Sequence, residues 1–264
     1  MKPRSNSCAD FDESVKSGRG QGRGPEYEPW LKISDASSYA VRSRVFCSRF
    51  ARHIHLMSNS ERLTLLQLEW NERVTEIREQ YPLDPKRTLP IAKKLGFLHP
   101  GYTKGGTVMT TDFLVTRCND DIEYRAYQVK QCRKDVYENL RTVAKLKIEE
   151  YYWNDLGIPW CVIYAEDFNL IFCRNLDFIF TYRNHSYHRS ILENLIYIFE
   201  KLLKIDPELP FTEFNSINTT IKEIPKFDEA IKILVGHKKI DFPIKTKYLE
   251  NTILLDFKVR NNET

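Results

Sequence analysis

Two neighbouring segments of alternating sequence constrain the fold of this chain more than any other feature. Polar and apolar side chains alternate from Thr107 to Thr116, and again from Glu123 to Gln131. A period of two is typical of β-strands that turn one face toward a core. The intervening residues 117–121 are turn formers, so the sequence predicts a β-hairpin. A turn centred near Asp120 pairs residues whose numbers add to about 240.

Three polar side chains share one face of this predicted hairpin. In the expected register Asp112 lies opposite Gln128, and Lys130 follows two residues later on the same face. Carboxylate and amide oxygens bind hard cations, and a lysine stabilises negative charge that develops on phosphorus. The set favours a metal-dependent phosphodiester nuclease. The spacing alone is a weak pattern, and solvated strand residues are the alternative, because a bulge or a one-residue slip separates the three.

The segments around the hairpin predict helices and strands in an α/β order. The sequence predicts one or two strands within Val45 to Leu56, a helix from Ser58 to Asn71, a strand from Val74 to Tyr81, a short helix from Thr88 to Leu95 with Pro90 in its first turn, a long helix from Lys134 to Asn154 and a buried strand from Trp160 to Ala165. This order predicts a mixed sheet covered by helices on both faces.

Two glutamates and two histidines are further candidates for a site. Glu61 lies three residues after Ser58, which matches a capping box in which Glu61 bonds back to the Ser58 amide, and the pattern alone favours that role. Glu149, on the helix after the hairpin, is a candidate accessory acid, although a surface glutamate is its ordinary interpretation. His53 and His55 alternate on one strand face, where exposed histidines are commoner than metal ligands.

The basic excess of the chain is N-terminal. Residues 1–57 contain 10 Lys and Arg against 6 Asp and Glu, so the remainder balances at 30 against 30 and the net charge of +4 arises in this part. The Gly/Arg run from Gly18 to Pro25 is typical of a flexible segment that wraps a phosphate backbone, and a plain linker is the alternative. The candidate DNA contacts are Arg19, Arg23, Arg49 and Arg52.

Composition excludes several classes of protein. The six cysteines include no C-x-x-C pair, which argues against a structural zinc site and favours reduced thiols. No apolar N-terminal run and no apolar stretch of about 18 residues occurs, so we expect neither export nor a membrane span. The predicted location is the cytoplasm.

The pattern changes after Glu166. We expect helices from His185 to Lys204 and from Phe227 to Val235, the latter after a capping-box signal at Thr220 to Glu223, and strands from His237 to Ile244 and from Thr252 to Val259. Helices followed by a hairpin predict a winged-helix-like α+β domain, a type that binds DNA or proteins. The chain is therefore expected to comprise a basic N-terminal segment (1–45), an α/β domain (46–167) and the C-terminal domain (168–264).

Several short motifs lie between about residues 15 and 165 in an order and spacing known from one family. They are Gly18-Arg19-Gly20-Gln21-Gly22, Tyr27 with Pro29-Trp30-Leu31, Leu68-Glu69-Trp70, Glu76 to Leu83 (EIREQYPL), Thr111 to Val115 (TDFLV) and Gln128-Val129-Lys130. With this set the chain resembles the TnsA-type transposon endonucleases. The C-terminal part resembles the family only in size and element order.

The resemblance implies a restriction-endonuclease-like fold joined to a C-terminal domain that contacts a regulator ATPase of the AAA+ class. It implies an enzyme of the bacterial cytoplasm that cuts double-stranded DNA at the 5′ ends of a transposon. A partner transposase of the DDE class then cuts and joins the 3′ ends, and together the two subunits perform cut-and-paste transposition.

The resemblance also implies roles for individual residues. Glu61 and Asp112 become acidic metal ligands, and Gln128 with the Val129 carbonyl completes the ligand set around one or two Mg²⁺ ions, for which Mn²⁺ is expected to substitute. Lys130 becomes the lysine that engages the attacking water and the scissile phosphate. No proline precedes Asp112, and Gln128 replaces the second acid of the general nuclease pattern, which weakens cation binding in the absence of DNA.

Two other hypotheses stay open from the sequence. The chain is alternatively a noncatalytic adaptor that bridges transposase and ATPase, or a stand-alone restriction or repair nuclease that needs no partner. The intact Asp112, Gln128 and Lys130 favour an enzyme over an adaptor.

Overall fold

The structure is a computed structural model that describes residues 6–35, 41–119, 123–224 and 226–260. The chain divides into two compact units, Met1–Phe168 and Asn169–Thr264. The helices of the first unit are α1 (Phe11–Lys16), α2 (Asn59–Trp70), α3 (Pro85–Lys94), α4 (Arg133–Tyr137) and α5 (Leu140–Asp155). Its strands are β1 (Ser43–Cys47), β2 (Arg52–Leu56), β3 (Val74–Pro82), β4 (Thr110–Arg117), β5 (Tyr124–Lys130) and β6 (Trp160–Tyr164).

The first unit contains a mixed four-stranded sheet in the order β3-β4-β5-β6. Strands β3, β4 and β5 are antiparallel, and β6 runs parallel to β5. Phe113 pairs with Tyr127 and Leu114 with Ala126, which confirms the predicted register of the hairpin. Asp120 and Asp121, the predicted turn residues, lie outside the described residues.

Helices cover both faces of this sheet. On one face Leu65 of α2 packs with Ile77 and Phe113 in a buried cluster that also includes residues of β1 and β2. On the other face Ile148 and Trp153 of α5 pack in a cluster with Leu114, Ala126 and part of α3. Phe113 and Val115 therefore face one core and Leu114 the other, as the alternation of a strand requires. The mixed α/β architecture fits a restriction-endonuclease-like fold.

Three predictions for the helices and strands of the first unit were wrong in detail. The long helix predicted from Lys134 to Asn154 is interrupted, because the Asn139 side chain accepts a hydrogen bond from the Thr142 amide at 3.1 Å and begins α5. Strand β6 lies at the edge of the sheet with half-buried side chains, not in its interior. Pro90 lies within α3, whose first helical residue is Pro85.

The Gly/Arg run packs against β3. Trp30 is fully buried, its indole lies 4.3 Å from the Arg19 guanidinium, and its carbonyl accepts a hydrogen bond from that group. The Gly20 amide donates to the Glu28 carbonyl at 2.7 Å. We call residues 18–30 the N-terminal loop. Its contacts differ from those of the flexible, phosphate-wrapping segment or linker that the composition predicts.

The second unit is mainly helical. It contains α6 (Leu170–Arg183), α7 (Arg189–Ile205), α8 (Phe227–Gly236), β7 (Ile240–Asp241) and β8 (Lys258–Val259), the two strands being antiparallel. The eight-residue strands predicted for a wing are reduced to two residues each, so a winged helix is not confirmed. Pro243 lacks an amide donor for a longer ladder, and a 3₁₀ turn at Leu254–Asp256 occupies the middle of the second predicted strand.

Helix starts in this unit also differ from the sequence pattern. The capping-box signal at Thr220 to Glu223 begins no helix, and α8 follows Lys226, whose side chain forms no cap. Within the described ranges 6–35, 41–119, 123–224 and 226–260, no helix has the length and apolar character needed to cross a membrane.

Candidate active site

Asp112 joins β4 to β5 through its side chain and its backbone. One carboxylate oxygen, Oδ2, accepts a hydrogen bond from the Val129 amide at 2.7 Å, and the Asp112 amide donates to Gln128 Oε1 at 3.3 Å. The carboxylate is buried. The hairpin register therefore brings Asp112 to the Gln128-Val129-Lys130 segment, as the alternating pattern predicts.

Glu61 lies in the first turn of α2 and is also buried. Its Oε2 accepts a hydrogen bond from the Met57 amide at 2.8 Å, and its Oε1 accepts one from the Ser58 hydroxyl at 3.0 Å. The Ser58 hydroxyl in turn accepts from the Glu61 amide at 3.1 Å. The predicted cap therefore forms with the Met57 amide in place of the Ser58 amide.

Gln80 of β3 connects the two acids, and the sequence pattern did not predict it as a site residue. Its Nε2 lies 3.4 Å from Glu61 Oε2 and 3.3 Å from Asp112 Oδ1. The Thr110 hydroxyl donates to Gln80 Oε1 at 3.0 Å. Gln80 belongs to the EIREQYPL motif, which is the only sequence signal that points to it.

Glu61 therefore has two compatible roles. The same carboxylate caps α2 and faces Gln80 in the site.

Gln128 and Lys130 line a cavity of about 380 Å³ on the side of the sheet where α5 packs. Lys130 Nζ donates to the Val129 carbonyl at 2.9 Å. Lys145 of α5 lines the same cavity, and burial together with the positive charges of Arg141 and Lys130 lowers the pKa of its ammonium. The cavity therefore contains two lysine side chains, of which the sequence predicted one.

The pKa values of both buried acids are raised. Burial, and after it the negative charge of Asp112, raises the pKa of Glu61 to about 8. Burial also raises the pKa of Asp112, against the opposing influence of Lys130 and of the hydrogen bonds from the Val129 amide and Gln80. Both shifts mean that the charged forms of these carboxyl groups are disfavoured in the absence of a further positive charge. A bound cation would supply that charge.

Glu149 is buried as well, so its interpretation as a surface residue was wrong. Its Oε1 accepts hydrogen bonds from the Thr111 hydroxyl at 2.6 Å and from the Trp160 indole at 2.9 Å. Burial raises the pKa of Glu149 to about 8. The side chain lines the cavity with Lys130 and links α5 to β4 and β6.

The donor set suits a hard cation. Glu61, Asp112, Gln128 and the Val129 carbonyl all offer oxygen, which Mg²⁺ prefers. In the part of the chain that the structure describes, no group of three or more His, Cys, Asp or Glu side chains is arranged to hold a metal ion. His53 and His55 therefore belong to no such group. An ion held here would therefore need the amide oxygen of Gln128 and the carbonyl oxygen of Val129 beside the two carboxylates.

The four predicted DNA contacts lie in different environments. Arg52 is buried and pairs with Glu79 at 2.6 Å, and Arg19 is buried under Trp30, so both stabilise the fold and their assignment to DNA conflicts with their burial. Arg49 donates to the carbonyls of Glu69 and Asn71 at 2.7 and 2.9 Å. Arg23 is exposed beside the Tyr124 ring. Arg23 is thus the best placed of the four for DNA.

Comparison with known proteins shows similarity to one family and to one of its members. Residues 71–165 match the family described as TnsA-like endonuclease N terminal. The chain is also 34% identical over 181 residues to the Transposon Tn7 transposition protein TnsA of Escherichia coli. That match covers 69% of this chain and 66% of the relative, slightly less than two thirds of its length. Gln80, Asp112, Gln128 and Lys130 all lie within residues 71–165.

Proposed function

Because this chain belongs to the TnsA-like endonuclease family, we propose that it is a metal-dependent DNA endonuclease subunit of a heteromeric transposase. It cleaves the 5′ ends of a transposon during cut-and-paste transposition. The observation that carries this proposal is the meeting of Glu61 and Asp112 at Gln80, next to the cavity that Gln128 and Lys130 line.

Mg²⁺ is the proposed cofactor, as one or two ions, with Mn²⁺ as a substitute. Its ligands are Glu61, Asp112, Gln128 and the carbonyl oxygen of Val129. The raised pKa values of the two carboxyl groups support this, because a cation stabilises the charged form that burial disfavours. When bound, the ion polarises the scissile phosphate and lowers the pKa of a water molecule.

The proposed reaction is hydrolysis of one phosphodiester bond. A bond forms between a water oxygen and phosphorus, the opposite P–O bond breaks, the water loses a proton and the departing sugar oxygen gains one. The Lys130 ammonium donates to the phosphate and stabilises the negative charge that develops on it. Lys145, in the same cavity, adds a second positive charge for the DNA backbone. Glu149 remains an accessory acid in this scheme.

The proposed partners follow from the family. They are double-stranded DNA at the transposon ends, a DDE-class transposase that cuts the 3′ ends, and an AAA+ regulator ATPase that contacts the C-terminal domain, residues 168–264. Crosslinks between the full chain and the ATPase should map to that domain. Crosslinks confined to residues 1–167 would contradict its assignment.

Substitution of Lys130 tests the enzymatic proposal. The assay mixture contains this chain, the transposase, the ATPase, transposon-end DNA and Mg²⁺. Lys130→Ala should reduce 5′-strand nicking in it by about 100-fold or more, because the phosphate loses its hydrogen bond from the Lys130 ammonium. Lys134→Ala is the matched control, since this lysine is exposed on α4 and should leave nicking unchanged. Full nicking by a folded Lys130→Ala protein would refute the role.

The same mixture separates the alternatives. Nicking by the unaltered chain without any transposase would identify a stand-alone nuclease. Absence of nicking with every divalent cation, together with retained binding to both partners, would identify an adaptor. The proposal requires nicking that depends on both the cation and the transposase.

A further inference from the structure

Gln80 has an unusual backbone conformation for a residue within a strand. Its φ is 47°, in the left-handed region that residues other than glycine rarely adopt. Its neighbours Glu79 and Tyr81 pair with Phe113 and Thr111, so Gln80 lies across from Asp112 in the sheet. Such a conformation is energetically unfavourable and persists only where the surroundings fix it. Residues of this kind concentrate at functional sites.

The N-terminal loop fixes the backbone on both sides of Gln80. The Tyr27 hydroxyl donates to the Glu79 carbonyl at 2.9 Å, and the Trp30 amide donates to the Gln80 carbonyl at 3.2 Å. Gly20 packs so closely on Pro82 that a Cβ atom at position 20 would overlap the proline ring. The direction of the Gln80 side chain therefore depends on contacts between the N-terminal loop and β3. The proposed hydrolysis gives these contacts no role.

The Gln80 amide is bonded in a way that suits two orientations. Its Nε2 faces Glu61 and Asp112, while its Oε1 accepts from the Thr110 hydroxyl. A hydroxyl both donates and accepts, so Thr110 also satisfies the amide after a half turn about its last torsion angle. That half turn directs Oε1 at the two acids. The first orientation suits two carboxylates alone, and the second suits carboxylates that share a cation.

We propose that Gln80 is a positioning residue and additional metal ligand of this site. Its NH₂ group joins Glu61 and Asp112 when no ion is present, and its amide oxygen faces the ion when one binds. This inference rests on the proposed function, because it assumes a cation between the two acids. It assigns to the N-terminal loop the role of fixing the strand segment from which Gln80 extends.

Metal affinity, measured apart from cleavage, tests this inference. Mn²⁺ is titrated calorimetrically into the full chain in the presence of a short DNA duplex. Gln80→Met, which retains the length of the side chain but offers no amide, should bind Mn²⁺ about 10- to 100-fold more weakly. Gln80→Glu, which offers a charged oxygen, should bind more tightly than the unaltered chain. Gln67→Met on α2 is the control and should bind normally.

The outcomes show separately whether the role of Gln80 and the proposed endonuclease function hold. If Asp112→Ala leaves Mn²⁺ binding unchanged, or the unaltered chain binds none, both proposals fail. If binding depends on Asp112 but Gln80→Met binds as tightly as the unaltered chain, or Gln80→Glu binds more weakly, only the role of Gln80 is overturned. Gln80→Asn, which tolerates the left-handed backbone, should also bind weakly and serves if Gln80→Met does not fold.

Discussion

Glu61 combines the capping of a helix with a place beside a second buried acid. Its oxygens accept hydrogen bonds from Met57 and Ser58, which fixes the carboxylate at the start of α2. The same carboxylate faces Gln80 and is close enough to Asp112 for their charges to interact. Burial and the charge of Asp112 raise the pKa of Glu61, which favours its protonated form in the folded protein without a cation. A cation at this place would compete with that proton.

This raised pKa predicts how stability depends on pH. The ordinary pKa of Glu61 is 4.5 and its value in the folded protein is about 8, so between these values the folded state binds more protons than the unfolded state. The free energy of unfolding should then fall as the pH rises through this window. In EDTA, Glu61→Gln should show a smaller fall than the unaltered chain, because it has no proton to lose. Part of the pH dependence should remain in this variant, because burial also raises the pKa of Glu149 to about 8.

Urea unfolding at about pH 5 and about pH 8 measures this difference. Glu138→Gln is the control, since this exposed glutamate of the first unit should leave the pH dependence unchanged. An equal fall for Glu61→Gln and the unaltered chain would mean that Glu61 is charged in the folded protein without a cation.

Single residues also mark the limit of prediction from the sequence. The alternation of β4 and β5 was sufficient to predict the register of the hairpin, which brings Asp112 within hydrogen-bonding distance of Gln128 and Val129. Gln80 escaped because a left-handed residue interrupts the alternation of β3. Glu149 was named as a candidate, but its burial was missed because its Thr111 and Trp160 partners are not revealed by a helical pattern.

Among the elements, the N-terminal loop differs most from its sequence pattern. Gly18, Gly20, Gly22 and Gly24 all have positive φ values, from 53° to 94°. Glycine makes a chain flexible when it has no contacts, but it also permits tight turns that other residues avoid. Here the second effect applies, because Tyr27 and Trp30 are buried. Composition alone does not distinguish the two cases.

Paired glycine substitutions test the contact of this loop with β3. Gly20→Ala should destabilise the protein by about 1–3 kcal/mol more than Gly18→Ala, because both positions have positive φ but only position 20 overlaps Pro82. A Cβ atom at position 18 would meet nothing within 4 Å, so Gly18→Ala measures the backbone cost alone. Chemical denaturation of the two variants gives the difference. Equal losses of stability would mean that Gly20 does not pack closely on Pro82 of β3.

Two other elements differ from their prediction because of a single residue, whereas α1 and α6 were not predicted. Asn139 divides one predicted helix into α4 and α5 by accepting a backbone hydrogen bond. Pro243 shortens a predicted strand of the second unit. Neither effect changes hydrophobic periodicity, on which the predictions depended.

In the whole molecule, the boundary between units follows Phe168. The described part of the N-terminal segment packs within the first unit, where it supports the strand that contains Gln80. The mixed sheet was predictable because its hairpin is local in sequence, whereas contacts of the N-terminal loop with β3 join residues about 50 positions apart. In the second unit α7 and α8 were predicted near their observed positions, whereas α6 was not predicted and the strands expected for a wing were too long.

The most direct test of the central claim is a strand-resolved map of cuts at both transposon ends in the reconstituted mixture. With Asp112→Ala, 5′-strand cuts should disappear while 3′-strand cuts by the transposase persist, since only the site at Glu61 and Asp112 loses its cation. Asp135→Ala, an exposed acid on α4, should leave both sets of cuts intact. Persistence of the 5′-strand cuts with a folded Asp112→Ala protein would contradict the assignment of DNA cleavage to this site.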